Sequence, residues 1–437
     1  MSVTAVRAAI LHCLHDPGAG NQRDAVEYFD DGILLCENGK IARVGPANTL
    51  LASLPDTVSV TEYPGRILMP GFIDCHVHYP QTDIIAAFGT QLLDWLNTYT
   101  FPAEARFADR AVADEAARFF IGELLRNGTT TALVFPTVHA HSVDALFEAA
   151  AEHNLAMACG KVLMDRNCPE NLRDTAQSGY DDSRDLIERW HHNGRARYAI
   201  TPRFAPTSTP AQLRLAGQLA REFPDTLIHT HIAENTDEIA WVRQLFPQAD
   251  SYLGVYRDAG LLRERSVFAH GIHLDDHDHQ SLADHEAALA FCPTSNLFLG
   301  SGLFDLARAK SHGVRVGLGT DVGGGTSFSQ LTTLSEAYKV LQLNSQSLSS
   351  FRALFLATLG GAQALHMDDT LGNFLPGKAA DFVIVDPGST TLLKRRLQTC
   401  NTLEETLFVQ MMLADDRAIE ATYVQGLPVW QRNETST

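Results

Sequence analysis

The central part of the chain alternates short apolar runs with longer stretches whose apolar residues recur at helical spacing. Each run has four to eight residues, the length of a buried strand, and helical patterns such as 110–126 and 211–222 lie between runs. Eight strands alternating with helices predict a (β/α)8 barrel with parallel strands. The eight runs are 72–78, 129–135, 157–163, 197–202, 227–232, 267–270, 288–292 and 314–321.

The two ends of the chain have a different pattern, with short β-like runs separated by turns. Asn38-Gly39 is a hairpin signal in the first segment, and the last segment resumes the same style. Neither end alone has enough strands for a stable sheet. We therefore predict a small β-sandwich domain built from both termini, residues 1–68 and 372–437, with the barrel at 69–371 inserted between its halves.

The amino-acid composition of the chain limits the kinds of partner that it can bind. The 437 residues are 45% hydrophobic and 20% charged, as in ordinary globular proteins, and no apolar run approaches the length of a membrane span. The net charge of −18 has no basic block to interrupt it, which disfavours nucleic acid or an anionic membrane as a partner. Seven cysteines without a Cys-x-x-Cys pair and no evident secretory signal predict a reducing, cytoplasmic location.

Polar residues suited to metal binding stand where several predicted strands end, and catalytic groups of such barrels lie at the carboxyl ends of the strands. His76 and His78 alternate on the first strand, so both side chains point to the same face. His231 ends the fifth run, His270 ends the sixth, and Asp321 ends the eighth. We expect these side chains to meet at one end of the barrel.

This set of side chains predicts a zinc or iron centre, which is catalytic if one coordination position stays open. His229 shares the strand face of His231 but lies deeper, so we expect it to be a hydrogen-bonded neighbour of the ligands. Glu234 follows His231 by three residues, close enough to transfer protons without binding the metal. Its alternative role is to cap the helix that follows.

The motifs around these residues resemble the amidohydrolase superfamily, whose barrels carry His-x-His on strand one, histidines on strands five and six, and aspartate on strand eight. The resemblance covers nearly the whole chain, including the split β-domain. The quoted stretches are LMPGFIDCHVHYPQ, DWLNTYTFPAEARF, LMDRNCP, ITPRFAPTS, HTHIAEN, FAHGIHL, FCPTSNLFLGSGLF and GLGTDVGGGTSFS.

The resemblance implies hydrolytic deamination of guanine to xanthine and ammonia, in a homodimer with one zinc ion per chain and iron as the alternative metal. It implies that Glu234 and Asp321 handle protons and that His270 contacts the attacking water. The implied metal ligands are His76, His78, His231 and Asp321.

The resemblance also implies that Gln81, Arg203, Phe204 and His270 contact the purine and that Trp95 belongs to a lid over the pocket. The residue types suit these roles. An amide reads a ring edge, a guanidinium donates to the O6 carbonyl of guanine, and an aromatic ring covers the face of the base. A surface ion pair is the alternative role of Arg203.

Three other classes of protein are alternatives to this interpretation. A binuclear cyclic-amide hydrolase bridges two metals with a carboxylated lysine on the fourth strand, but the run YAITPRF has no lysine and Lys161 belongs to the third run. A non-enzymatic binding scaffold would have lost ligands, whereas this set is complete. The zinc deaminases with a Pro-Cys-x-x-Cys signature are excluded because the chain has no Cys-x-x-Cys.

The predicted ligand set has a measurable consequence. Elemental analysis of the purified protein is expected to find about one zinc or iron atom per chain, since three imidazoles and one carboxylate complete one site with an open position. Two metal atoms per chain would favour the binuclear alternative instead.

Overall fold

The computed structural model describes residues 3–55, 57–89 and 91–432. Within these ranges, no helix is both long and apolar enough to cross a membrane. The strands are β1 Val3–Cys13, β2 Val26–Glu37, β3 Lys40–Pro46, β4 Val60–Pro70, β5 Phe72–His78, β6 Thr129–Phe135, β7 Ala156–Cys159, β8 Val162–Leu163, β9 Arg197–Pro202, β10 Leu227–Ile232, β11 Ser266–His270, β12 Ala288–Phe291, β13 Arg315–Leu318, β14 Phe382–Val385, β15 Ile419–Val424 and β16 Leu427–Gln431.

Helices alternate with the barrel strands and also follow them toward the C-terminus. They are α1 Ala47–Leu50, α2 Leu92–Trp95, α3 Phe101–Ala105, α4 Arg110–Arg126, α5 Ala140–Glu152, α6 Ala176–Trp190, α7 Pro210–Glu222, α8 Thr236–Leu245, α9 Tyr252–Asp258, α10 Asp276–Asp284, α11 Pro293–Phe298, α12 Leu306–Ser311, α13 Gln330–Leu343, α14 Ser350–Ala357, α15 Leu359–Ala364, α16 Thr391–Leu397 and α17 Leu403–Leu413.

The predicted (β/α)8 barrel is confirmed. Its strands pair in parallel in the order β5-β6-β7-β9-β10-β11-β12-β13, with β8 beside β9. The barrel closes through the segment that follows β13. There the Asp321 amide donates to the His76 carbonyl oxygen at 2.9 Å, and the His78 amide donates to the carbonyl oxygen of Val322 at 2.8 Å. These bonds bring the end of the first barrel strand next to the end of the last.

The third predicted run is not one strand but two short ones, β7 and β8, separated by Gly160 and Lys161. The chain bends because it passes very close to the neighbouring strand. A Cβ atom at Gly160 would lie 1.7 Å from the carbonyl oxygen of Ala199 in β9, so only glycine permits this approach. The apolar run alone could not show the break, because it does not report how closely two backbones approach.

The predicted small β domain is also confirmed, with strands from both termini in the order β16-β15-β14-β4-β1-β2-β3. All seven strands belong to one hydrogen-bonded sheet, not to the two sheets that a sandwich implies, because β4 pairs with β1 on one side and β14 on the other. Helices α16 and α17 interrupt the C-terminal half, and α17 packs against α13 and α14. The division at residues 68 and 371 stays a prediction.

A buried carboxylate supports the closure of the barrel. Asp74 in β5 accepts hydrogen bonds from the amide of Thr320 at 3.0 Å, from the Thr320 hydroxyl, and from the amide of His76 at 3.2 Å. Burial raises the pKa of Asp74 to about 7, which these three donors oppose. Asp74 thereby links β5 to the chain directly before Asp321.

Candidate active site

A cavity opens at the carboxyl ends of the barrel strands, where barrels of this kind bind their ligands. It collects every residue that the sequence assigned to substrate contact or proton transfer, and three of the four assigned metal ligands. The lining residues are His78, Gln81, Leu92, Trp95, Leu96, Arg203, Phe204, His231, Glu234, Glu238, His270, Leu299, Asp321 and Gly324.

The four predicted metal ligands converge below this cavity. The Nε2 atom of His78 lies 3.2 Å from the Nε2 atoms of both His76 and His231. Asp321 Oδ1 lies 3.2 Å from His76 Nε2 and 3.4 Å from His78 Nε2. Four ligands placed tetrahedrally about 2.0–2.1 Å from a zinc ion would be about 3.3 Å apart. The four separations given above match this value, so His76, His78 and Asp321, with His231 next to His78, have the donor types and spacing that suit one zinc-sized cation.

Hydrogen bonds behind the imidazoles orient their Nε2 atoms toward this point. His231 Nδ1 donates to the carbonyl oxygen of Arg203 at 2.7 Å, which leaves the Nε2 lone pair free for a metal. His76 Nδ1 lies 2.8 Å from His229 Nε2, so His229 is the hydrogen-bonded neighbour that the sequence predicts. Burial lowers the pKa of His76, His78, His229 and His231 well below the ordinary value, so the rings are neutral, the form that binds metals.

Glu234 faces the same centre from the loop after β10. Its Oε2 lies 3.4 Å from His270 Nε2, and its Oε1 accepts a hydrogen bond from the Ser301 hydroxyl at 3.0 Å. Burial raises the pKa of Glu234 to about 7, against the opposing effect of His270. A cation beside it would lower that pKa again. A carboxyl group titrating near or below neutrality can accept a proton from water and return it.

His270 completes the polar side of the cavity. Its Nδ1 bonds to Asn296 Oδ1 at 2.9 Å, and its Nε2, 3.7 Å from Asp321 Oδ2, has no protein hydrogen-bond partner within the described residues. Burial favours the neutral ring, but the nearby Glu234 and Asp321 carboxylates raise the pKa of His270 above its ordinary value. A buried nitrogen without a partner, directed between two carboxylates, is suited to bind a water molecule or a substrate atom.

The helix after β10 is not capped by Glu234, the alternative role considered for it. Asn235 is the N-cap residue of α8, and Glu238 completes the capping box. Glu238 Oε2 accepts from the amides of Glu234 and Asn235 at 3.0 and 3.2 Å, and its Oε1 accepts from the Tyr252 hydroxyl at 2.6 Å. This network holds the loop, and the Glu234 side chain remains free to point into the cavity.

The other side of the cavity carries the predicted purine contacts. Arg203 is buried and donates through Nη1 to both carboxylate oxygens of Glu104, at 2.9 and 2.7 Å. Its alternative role, a surface ion pair, is therefore wrong, because the pair lies inside the site. Phe204 and Trp95 contribute aromatic walls, and the Trp95 indole donates to the Ala87 carbonyl oxygen at 3.2 Å.

Several residues near the cavity were not predicted from the sequence. Glu104, Asn296 and Ser301 all lie within quoted motifs, and Glu104 was the one carboxylate in the otherwise apolar TFPAEA segment. Lys161, the lysine considered for a binuclear site, is buried elsewhere and paired with Asp174. Among the described residues, no lysine lines the cavity.

Comparisons with known proteins agree with one another. The amidohydrolase family matches residues 67–429. The chain is 54% identical over 409 residues to the guanine deaminase of Escherichia coli (strain K12), covering 94% of this chain and 93% of that protein. The solved structure named E. coli guanine deaminase superposes with a TM-score of 0.97 at 52% identity, covering 98% of this chain and 100% of that one. A guanine deaminase from C. acetobutylicum, solved with guanine in the active site, superposes with a TM-score of 0.88 at 27% identity over 98% of this chain and 100% of that one.

The position of Glu234 predicts a specific failure. Glu234→Gln preserves the size and polarity of the side chain but cannot accept a proton, so turnover is expected to fall by roughly 100-fold or more. Metal content is expected to stay at the wild-type level, because the predicted ligand atoms belong to the three histidines and Asp321. Loss of metal in the variant would instead identify Glu234 as a ligand; turnover and elemental analysis of the same sample distinguish the two roles.

Proposed function

The chain belongs to the amidohydrolase family, and from this membership we propose that it catalyses the hydrolytic deamination of guanine to xanthine and ammonia. One observation carries the proposal. A single cavity has a cation-binding donor set and Glu234 on one side and the Arg203 guanidinium with the Gln81 amide on the other. That pairing suits a purine that is attacked at one edge and recognised at another, and the relatives named guanine deaminases support it.

The cofactor we propose is one zinc ion per chain, with iron as the alternative, held by His76, His78, His231 and Asp321. The separations of 3.2–3.4 Å between neighbouring ligand atoms and the neutral histidines support this choice. When bound there, zinc supplies a Lewis acid that makes water more acidic near neutral pH.

In the proposed reaction, His270 Nε2 binds the attacking water and Glu234 takes its first proton. The water oxygen forms a bond to C2 of guanine, and Glu234 passes that proton to N3. Asp321 takes the second proton from the new C2 hydroxyl and passes it to the amino nitrogen, so that C2=O forms, the bond between C2 and the amino nitrogen breaks, and ammonia leaves. The short distance between Glu234 Oε2 and His270 Nε2, 3.4 Å, lets both groups serve the same water.

Substrate recognition is assigned to the opposite wall. Arg203 donates to the O6 carbonyl, Gln81 reads a ring edge through its amide, and Phe204 covers the face of the base. Trp95, with Leu92 and Leu96 beside it, closes the cavity over the ligand and keeps bulk water out of the reaction.

We also propose a cytoplasmic homodimer. All seven cysteines are free thiols, which suits a reducing compartment. The homodimer is the assembly expected from the sequence resemblance. Light scattering is expected to give about twice the chain mass of 47.9 kDa, and a monomer mass would contradict the dimer.

A substrate panel tests the function. Wild-type protein is expected to release ammonia from guanine and much less from adenine or cytosine, because neither of these rings combines an amino group next to N3 with a 6-oxo group. Dihydrouracil has no amino group, so its hydrolysis is followed by the loss of ring absorbance and is expected not to occur. Opening of the dihydrouracil ring, or no ammonia from guanine, would contradict the proposal.

Variants of the neighbouring residues Arg203 and Phe204 separate recognition of the O6 carbonyl from stacking on the base. Arg203→Ala is expected to lower kcat/KM for guanine about 10-fold more than for 2-aminopurine, which lacks O6, since a lost charged hydrogen bond costs about 1.5–3 kcal/mol. Phe204→Ala is expected to lower both alike, because stacking is shared by the two rings. Equal losses in Arg203→Ala would show that Arg203 supports the pocket without reading O6.

A further inference from the structure

Glu104 is a buried carboxylate that the reaction itself does not use. It belongs to α3, its side chain is fully buried, and it contacts both of the polar groups assigned to purine recognition. Its oxygens accept from Arg203 Nη1 at 2.9 and 2.7 Å, and its Oε1 also accepts from Gln81 Nε2 at 3.2 Å. Arg203 directly follows the barrel strand β9 and is 99 residues from Glu104 in the sequence. Gln81 lies after β5, 23 residues from Glu104.

We infer that Glu104 is the positioning residue that sets which donors and acceptors Arg203 and Gln81 present to the base, and that it thereby selects purines with a 6-oxo group. The inference rests on the proposed function. Glu104 does not touch the reacting atoms in this assignment; it acts through its two partners.

The orientation of the Gln81 amide follows from Glu104. A carboxylate only accepts hydrogen bonds, so Gln81 must turn its NH₂ group toward Glu104. The amide of Gly323 only donates, and it approaches Gln81 Oε1 at 3.3 Å from the other side. The side chain is thereby held in one of its two amide orientations, with one N–H and one oxygen lone pair left for the ligand. A neutral amide at position 104 could donate as well as accept and would allow the flipped orientation.

The direction of the Arg203 guanidinium depends on the same helix. Phe101 precedes Glu104 by three residues and shares its helix face, and its ring centre lies 5.4 Å from the Arg203 guanidinium carbon. Nη1 of Arg203 already donates to Glu104, so Nη2 and Nε remain as the donors available to a carbonyl oxygen. The planar guanidinium is rigid, so one bound nitrogen determines where the others point. Without the Glu104 carboxylate, the Phe101 ring would still contact the guanidinium. It would not stop the guanidinium from rotating within its own plane.

The test compares guanine with 2-aminopurine in Glu104→Gln, which keeps the side-chain size. We expect kcat/KM for guanine to fall at least 10-fold further than kcat/KM for 2-aminopurine, because only guanine uses the donor that Glu104 directs. Metal content is expected to match the wild type. Glu104→Asp keeps the charge but withdraws the carboxylate by one methylene. It should therefore shift the same ratio of kcat/KM values in the same direction by a smaller factor. This variant replaces Glu104→Gln in the test if Glu104→Gln does not fold.

Asp381→Asn is the matched control, since Asp381 is a buried carboxylate paired with Arg195 outside the cavity. It is expected to lower stability and leave the guanine to 2-aminopurine ratio unchanged. If the ratio of kcat/KM for guanine to kcat/KM for 2-aminopurine changed as much in Asp381→Asn as in Glu104→Gln, general destabilisation would explain the effect. That result would overturn the inference.

A multiple-mutant comparison separates action through Arg203 and Gln81 from an independent effect. If Glu104 selects the 6-oxo group through these two partners, adding Glu104→Gln to the Gln81→Ala, Arg203→Ala double variant should not change the ratio further. An additional shift in the triple variant, or equal losses on both substrates in Glu104→Gln, would refute the positioning role. Absence of ammonia release from guanine by the wild-type protein would instead refute the proposed function, so the two failures are distinguishable.

Discussion

The site depends first on how the barrel closes. The backbone bonds from Asp321 to His76 and from His78 to Val322 join the first barrel strand to the segment after the last one. Through them, donor atoms separated by most of the barrel sequence come within 3.2–3.4 Å of one another. Asp74 reinforces the same junction by accepting from both sides of it. A barrel that closed in another register would keep every strand and lose the donor set.

Burial of polar groups explains how the two walls of the cavity remain distinct. On the wall with the histidines, burial lowers the pKa of His231 and raises that of Glu234, which suits the proposed cation binding by the former and proton transfer by the latter. On the recognition side, the Arg203 charge is balanced by Glu104 inside the protein. Removing one partner of such a pair leaves an uncompensated buried charge, which costs about 3–5 kcal/mol. Arg203 connects the walls, because its carbonyl oxygen accepts from His231 and its side chain lines the cavity.

Much of the fold and of the candidate metal site could be predicted from the sequence because both depend on order along the chain. Runs of strand length between helical stretches indicate the barrel, and a polar residue at the end of such a run must lie at the rim. The break at Gly160 and the single continuous terminal sheet could not be predicted in this way. They depend on how closely β7 approaches β9 and on which strands β4 pairs with, and neither is a local property.

By itself, the sequence determined the fold class, the strand ends and the identity of the chemical groups at them, because strand alternation and chain order are local and periodic. Only the tertiary structure decided which groups pair. Glu104 meets Arg203 across 99 residues, and Ser301 meets Glu234 across 67. Those contacts depend on how the short helix α3 and the loop after α11 lie over the barrel mouth. Their orientation follows from the packing of the whole molecule, so no pattern within either segment could reveal them.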